Sequence, residues 1–252
     1  MKQSITALIV LIFLFGISCS PPEPMTNQSQ WTAKDWIDYS IKHHDPKGNW
    51  SQFNSTIESF SKVDRGGETL EESNRNFKMD NGKSYFYLLT SVAEHPLEIT
   101  IEDDNCTTTW EKKNLTTAEQ NRYINNCAYG LNFRNYYRYL VGLPMVLKDD
   151  EAIIKPEVED SNIEGKSYKK ITVNYAPLNS NPTWEFYIDP TDGKLIRSVF
   201  IRFNNSAAPA TGEIIDYPDH QTFQDIKLPK KMLWYHLDKK FLADETYVYK
   251  AI

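Results

Sequence analysis

His43, His44 and Asp45 are the residue types that bind metals or move protons, and they stand side by side. Their spacing argues against both roles. Adjacent side chains on a helix point in different directions, and a helical metal pair needs i, i+4 spacing. The position suits a helix C-terminus, where Lys42, His43 and His44 complement the helix dipole and Pro46 stops the helix. A hydrolase built on this region is kept as the third alternative. His95, His220 and His236 are each isolated in sequence. Glu71-Glu72 and Glu102-Asp103-Asp104 could act as paired carboxylates only across a cleft of about 5–10 Å, and turn chemistry accounts for them more simply. Asp149-Asp150-Glu151 lacks the central Gly of an EF-hand loop. No GxSxG elbow, Walker motif or Rossmann glycine run occurs. The sequence therefore offers no catalytic residue, no metal site and no cofactor.

Binding is the chemistry left. The chain holds 15 Tyr, 12 Phe and 6 Trp, a load that suits pleated, half-buried strand surfaces. Either these rings fill the core of a large sheet, or some line a concave apolar groove that holds a ligand. The formal net charge of -6 argues against nucleic acid, which needs a basic surface. The 10 Gly and 3 Cys exclude collagen-like and disulfide-framework classes.

The N-terminus states a destination. Lys2 precedes an apolar run, ITALIVLIFLFGI, at residues 5–17. That run is shorter than the ~20 residues of a membrane span and has the length of a signal-peptide core. Gly16-Ile17-Ser18-Cys19 resembles a bacterial lipoprotein box, with Gly16 where Leu is usual. Cleavage before Cys19 would leave it as the lipidated first residue; two or more acyl chains, such as palmitate, suffice for stable anchoring. Residues 20–30, with Pro21, Pro22 and Pro24, read as an extended tether. The expected organisation is signal peptide 1–18, lipidated tether 19–30 and a single domain 31–252. The expected location is the cell envelope, lipid-anchored, on the outer membrane facing the periplasm. In that oxidising compartment Cys106 and Cys127 are candidates for a disulfide, which closes a loop of about 22 residues and contributes roughly 3 kcal/mol. Two unpaired thiols are the alternative.

Residues 31–44 are predicted as a helix, with Ala33, Trp36, Ile37, Ser40, Ile41 and His44 on one face and Thr32 with Asp35 near capping-box register. Most of the rest reads as strands. Asp80-Asn81-Gly82 marks a hairpin, and Leu97, Ile99 and Ile101 alternate with polar residues. A helical insert is predicted at 116–126, broken by Gly130, and again at 131–141, stopping at Gly142-Leu143-Pro144. Strands then resume to the C-terminus, with Pro190-Thr191-Asp192-Gly193 as one turn. Short connections imply a mainly antiparallel sheet of roughly ten strands, long enough to curl. The fold class is α+β.

Two stretches are recognisable: NYYRYLVGLPMVLK at 135–148 and Trp184-Glu185-Phe186-Tyr187-Ile188-Asp189-Pro190. With Gly212-Glu213-Ile214-Ile215, Leu228-Pro229-Lys230 and Trp234-Tyr235, they resemble an uncharacterised family of Bacteroidota lipoproteins, a domain of unknown function. More loosely, the order of helix, hairpins, helical insert and late strands resembles the LolA and LppX-like lipoprotein-carrier superfamily. That resemblance implies a curled, incomplete antiparallel barrel whose helix-covered concave face holds acyl chains. The groove candidates are then Tyr85, Tyr87, Tyr136, Tyr139, Leu140, Leu143, Trp184 and Phe186. The leading expectation is a non-enzymatic lipoprotein binding a lipid or lipidated partner. A solid sheet serving as an envelope interaction module is the alternative.

Overall fold

The computed structural model describes residues 28–66, 69–92, 94–103, 105–125, 127–148, 152–175, 182–203 and 210–252. The signal segment, Cys19, the tether up to residue 27, Asp104, the acidic run at 149–151 and residues 204–209 lie outside these. Gln28–Gln30 forms a 3-10 turn; a separate compact unit runs from Trp31 to Ile252. Among the described residues, no helix is long and apolar enough to cross a membrane.

Helix α1 (Ala33–His44) starts where the sequence says it should. The Thr32 hydroxyl accepts from the Asp35 N–H at 3.3 Å, and the Asp35 carboxylate accepts from the Thr32 N–H at 2.8 Å, a full capping box. Its buried face is the expected set from Ala33 to His44.

The strands build one antiparallel sheet from two meanders. The first is β1 (Asn54–Val63), β2 (Glu71–Asp80), β3 (Tyr85–Val92), β4 (His95–Glu102) and β5 (Asn105–Trp110). The second is β6 (Ala152–Ile163), β7 (Lys166–Tyr175), β8 (Thr183–Ile188), β9 (Leu195–Arg202), β10 (Thr211–Phe223), β11 (Ile226–His236) and β12 (Phe241–Lys250). The last strand returns to pair with the first, so β1–β12 is the seam and β5 and β6 are the two edges. This twelve-stranded sheet stays open; strongly twisted sheets beyond ~10 strands curl. Period-2 burial marks its inner face: Phe77 and Met79, Phe86 and Leu88, Leu97, Ile99 and Ile101, Ile171 and Val173.

The chain crosses from edge β5 to edge β6 through the helical insert. Thr116 caps α2 (Thr117–Glu119), which continues as a π-helix at Gln120–Ile124. Helix α3 (Ala128–Gly142) follows and packs on β4 and β11. Gly130 does not break the helix as expected but lies inside it. A Cβ there would meet Ile99 Cγ2 at 2.6 Å, so the glycine permits close helix–sheet contact. Gly142 plays the same part at the other end, where a Cβ would meet the Trp50 ring at 2.4 Å. The Asp80-Asn81-Gly82 hairpin signal resolves as a 3-10 turn, Asn81–Lys83, with Asp80 accepting from the Lys83 N–H and Ser84 taking the left-handed conformation.

Candidate functional site

A cleft of about 940 Å³, open on one side, lies beside α3. One wall comes from Met79, Asp80 and Tyr85 of the first meander, and the other from Tyr175 and Trp184 of the second. These strands are far apart in sheet order, so the curl of the sheet brings them to one cavity. Helix spacing decides what α3 contributes. Tyr137, Leu140 and Val141 face the core, while Arg134, Asn135, Arg138 and Tyr139 face the cleft. Trp50 and Val146 close it near Gly142.

The lining is aromatic with polar points. The Tyr139 hydroxyl lies 3.1 Å from that of Tyr175, and its ring sits 4.8 Å from Trp184, which in turn lies 4.8 Å from Phe200. Burial, and then the neighbouring Tyr175, push the Tyr139 phenol well above its usual range, so it stays a neutral hydrogen-bonding group. Arg134 is held in place, Nη1 donating to the Asp103 carbonyl at 3.1 Å and Nε to Asn135 at 3.3 Å. The Trp50 indole N–H is buried without a partner.

The eight groove candidates separate. Tyr85, Tyr139 and Trp184 line the cleft. Leu140 and Phe186 are buried in the packed core instead, on the inward phase of their helix and strand, and Leu143 is buried just past the end of α3. Tyr136 is 44% exposed elsewhere on α3. Tyr87 lies on the opposite sheet face from Phe86 and Leu88, with the Lys78 ammonium 5.6 Å from its ring centroid. Trp50, Met79, Arg134, Arg138 and Tyr175 were not among the candidates. The i, i+4 pair Arg134–Arg138 beside Tyr139 was a readable signal on α3; Met79 and Tyr175 needed strand register, and Trp50, in the 3-10 turn Asn49–Gln52, needed the packing of that turn near Gly142.

The histidine cluster is structural. Leu195 N–H donates to His44 Nε2 at 3.1 Å, which leaves Nδ1 to carry the proton and donate to the Lys227 carbonyl at 2.9 Å. Both ring nitrogens are thereby spent on tying α1 to β9 and β11. Burial holds the His44 pKa down at about 4. The Asp45 carboxylate accepts from the Asn49 and Trp50 N–H groups at 2.8 and 2.9 Å. His220 packs 5.0 Å from His44, ring to ring, a contact that its isolation in sequence hid. No metal-binding group of three or more His, Cys, Asp or Glu residues occurs among the described residues.

Cys106 on β5 and Cys127 at the start of α3 carry free thiols in this structure. They are neighbours: burial raises the Cys106 pKa, and Cys127 beside it raises it further.

The sequence comparison decides the family. The model of a family of unknown function, DUF6503, matches residues 9–250. The chain belongs to DUF6503. No curated protein sequence matches this DUF6503 chain. Its fold is similar to that of a LolA superfamily protein from Nitrosomonas europaea, with a TM-score of 0.52 at 8% identity, covering 86% of this chain and 92% of that one. A DUF1329 family protein from Desulfovibrio piger gives 0.42 at 11% identity, covering 86% and 91%, and the MucA/MucB complex from Pseudomonas aeruginosa gives 0.25 at 8%, covering 86% and 94%. The first likeness establishes the architecture expected from the sequence, a LolA-like open antiparallel sheet.

Proposed function

We propose that this DUF6503 protein is a lipid-anchored envelope protein that binds the apolar part of a lipid, or of a lipidated partner, in the cleft beside α3. The cleft itself is the observation that carries this reading. Its volume falls in the ~300–1,000 Å³ range of small-molecule sites. Burying one CH₂ is worth ~0.8 kcal/mol, so a tail of about 14 carbons supplies on the order of 10 kcal/mol before ordering costs. Tyr139 and Tyr175, whose hydroxyls lie 3.1 Å apart among the cleft-lining residues, can orient a polar group at the end of such a tail. The LolA-like architecture supports the same class of role.

Anchoring through Cys19 on the outer membrane, facing the periplasm, belongs to this proposal and rests on the N-terminal sequence. The proposed role is non-enzymatic, and His44 supports it, because both of its ring nitrogens are engaged by backbone groups. A solid interaction module is the second reading; the packed positions of Leu140, Leu143 and Phe186 favour it.

Native mass spectrometry after mild extraction tests the proposal. Co-purifying lipid is expected, and Asn135→Trp, at an exposed α3 position lining the cleft, should remove it while leaving the fold intact. Absence of lipid from the wild type, with no uptake of a fluorescent fatty acid, would reject the binding role and leave the interaction module.

A further inference from the structure

Cations on the sheet are matched by carboxylates. Arg197 grips Asp216 with two N–H groups, and Lys170, Lys231 and Lys250 each reach an acidic side chain on a neighbouring strand. Arg134 on α3 departs from this pattern. Its acceptors are uncharged: the Asp103 carbonyl at 3.1 Å and the Asn135 side-chain oxygen at 3.3 Å. Among the described residues no carboxylate forms an ion pair with it. Arg134 is half-buried, so part of its hydration is lost and no counter-charge there repays it. A guanidinium has more N–H donors than these two acceptors use, and the remaining ones sit on its terminal nitrogens.

Those donors border the cleft of about 940 Å³. Arg138, one turn further along α3, lines it too, and side chains four apart on a helix are neighbours. Asp80 is the carboxylate in the lining, and it already accepts from the Lys83 N–H at 3.1 Å with the Lys83 ammonium at 3.5 Å. The cleft therefore carries an excess of positive charge, although the whole chain has a net charge of -6. Arg134 is also fixed in place. The Asp103 N–H donates to the Ser84 carbonyl at 3.1 Å, and the Asp103 carbonyl in turn holds the guanidinium, so Arg134 stands at the end of the cleft where β3 begins.

Fixed positive charge and apolar walls in one cleft select an amphiphile over a plain ion or a plain hydrocarbon. We propose that Arg134, with Arg138, forms the head-group subsite of the cleft, and that the ligand is a single-chain amphiphile with an anionic head, a carboxylate or a phosphate. The planar fork of a guanidinium matches either head bidentately. Tyr139 follows Arg138 on the helix, and its hydroxyl gives the same head a neutral hydrogen bond. Met79 and Trp184 then face the tail from the two walls. This inference rests on the lipid-binding reading and adds the sign of the head and the end of the cleft that holds it.

Equilibrium dialysis of the delipidated full chain tests it, with twelve-carbon probes below their micelle concentrations: dodecanoate, dodecyl phosphate, neutral dodecylglycerol and cationic dodecyltrimethylammonium. The wild type should hold at least one anion roughly five-fold or more tighter than the neutral and cationic probes. The ratio between the two anions separates a carboxylate from a phosphate ligand. Arg134→Gln should bring the preference for anion over dodecylglycerol below about two-fold; if that variant misfolds, Arg138→Gln is read in its place. Equal wild-type affinity for anion and neutral probe, tighter binding of the cation, or an anion preference that the variant retains would overturn the head-group assignment and leave lipid binding standing. Binding of none of the probes would overturn both.

Discussion

His44 makes the stability of this protein pH-dependent in a way that can be worked out beforehand. In the fold its pKa is about 4, because burial disfavours the charge and Nε2 already accepts from Leu195. In the unfolded chain it is ~6.5. The folded value is depressed, so the unfolded state takes up the proton first. Stability is fully present above pH ~6.5 and is lost as pH falls toward 4. Between pH 7.5 and pH 5 one histidine locked neutral costs about 2 kcal/mol by this linkage. His220 acts in the same direction, its pKa lowered to about 2 mainly by burial. Glu245 acts oppositely, because burial raises its pKa: its contribution is present at low pH and lost as pH rises. Comparison with a His44→Phe variant isolates His44 from both. Phe strands the buried Leu195 N–H and the part-buried Lys227 carbonyl, each costing about 1–3 kcal/mol, so the variant should be about 2–6 kcal/mol less stable at pH 7.5. Its further loss on going to pH 5 should be smaller than that of the wild type by about 2 kcal/mol. Urea denaturation at the two pH values measures both quantities. Equal losses in wild type and variant would refute the reasoning, since His44 would then be free to protonate in the fold.

Gly142→Ala forces a methyl against the Trp50 ring and Val146, and overpacking of this kind costs about 1–3 kcal/mol, read as a lower urea midpoint. Thr32→Ala removes the α1 capping box and should cost about 1 kcal/mol in the same assay. Cys106 and Cys127 are close enough to react with each other, so mild oxidation should protect both from alkylation together, as mass spectrometry would record; continued alkylation of either would exclude the bridge.

Local chemistry was legible residue by residue. The α1 face and its cap follow from Thr32, Asp35 and the 3.6-residue period, and the alternation at Leu97, Ile99 and Ile101 names an inner face correctly. Tyr139 and Trp184 carry the aromatic signal into the cleft lining, but the same signal also marks core rings such as Phe186. The errors share a cause. Gly130 read as a helix breaker because its low propensity is local, whereas the contact with Ile99 that requires it is not. Tyr87 and Tyr85 share a strand phase, but alternation fixes which residues share a face, not which face is covered.

Helix, strand and hairpin positions could be read along the chain, since each rests on neighbours within a few residues. The return of β12 to β1, the meeting of Met79 and Trp184 at one cleft, and the row of Arg75, Ser59 and Tyr247 became visible in the folded chain alone. These depend on strand partners as far as 190 or so positions apart in the chain, and pairing across such distances is set by the curl and register of the whole sheet rather than by any local pattern.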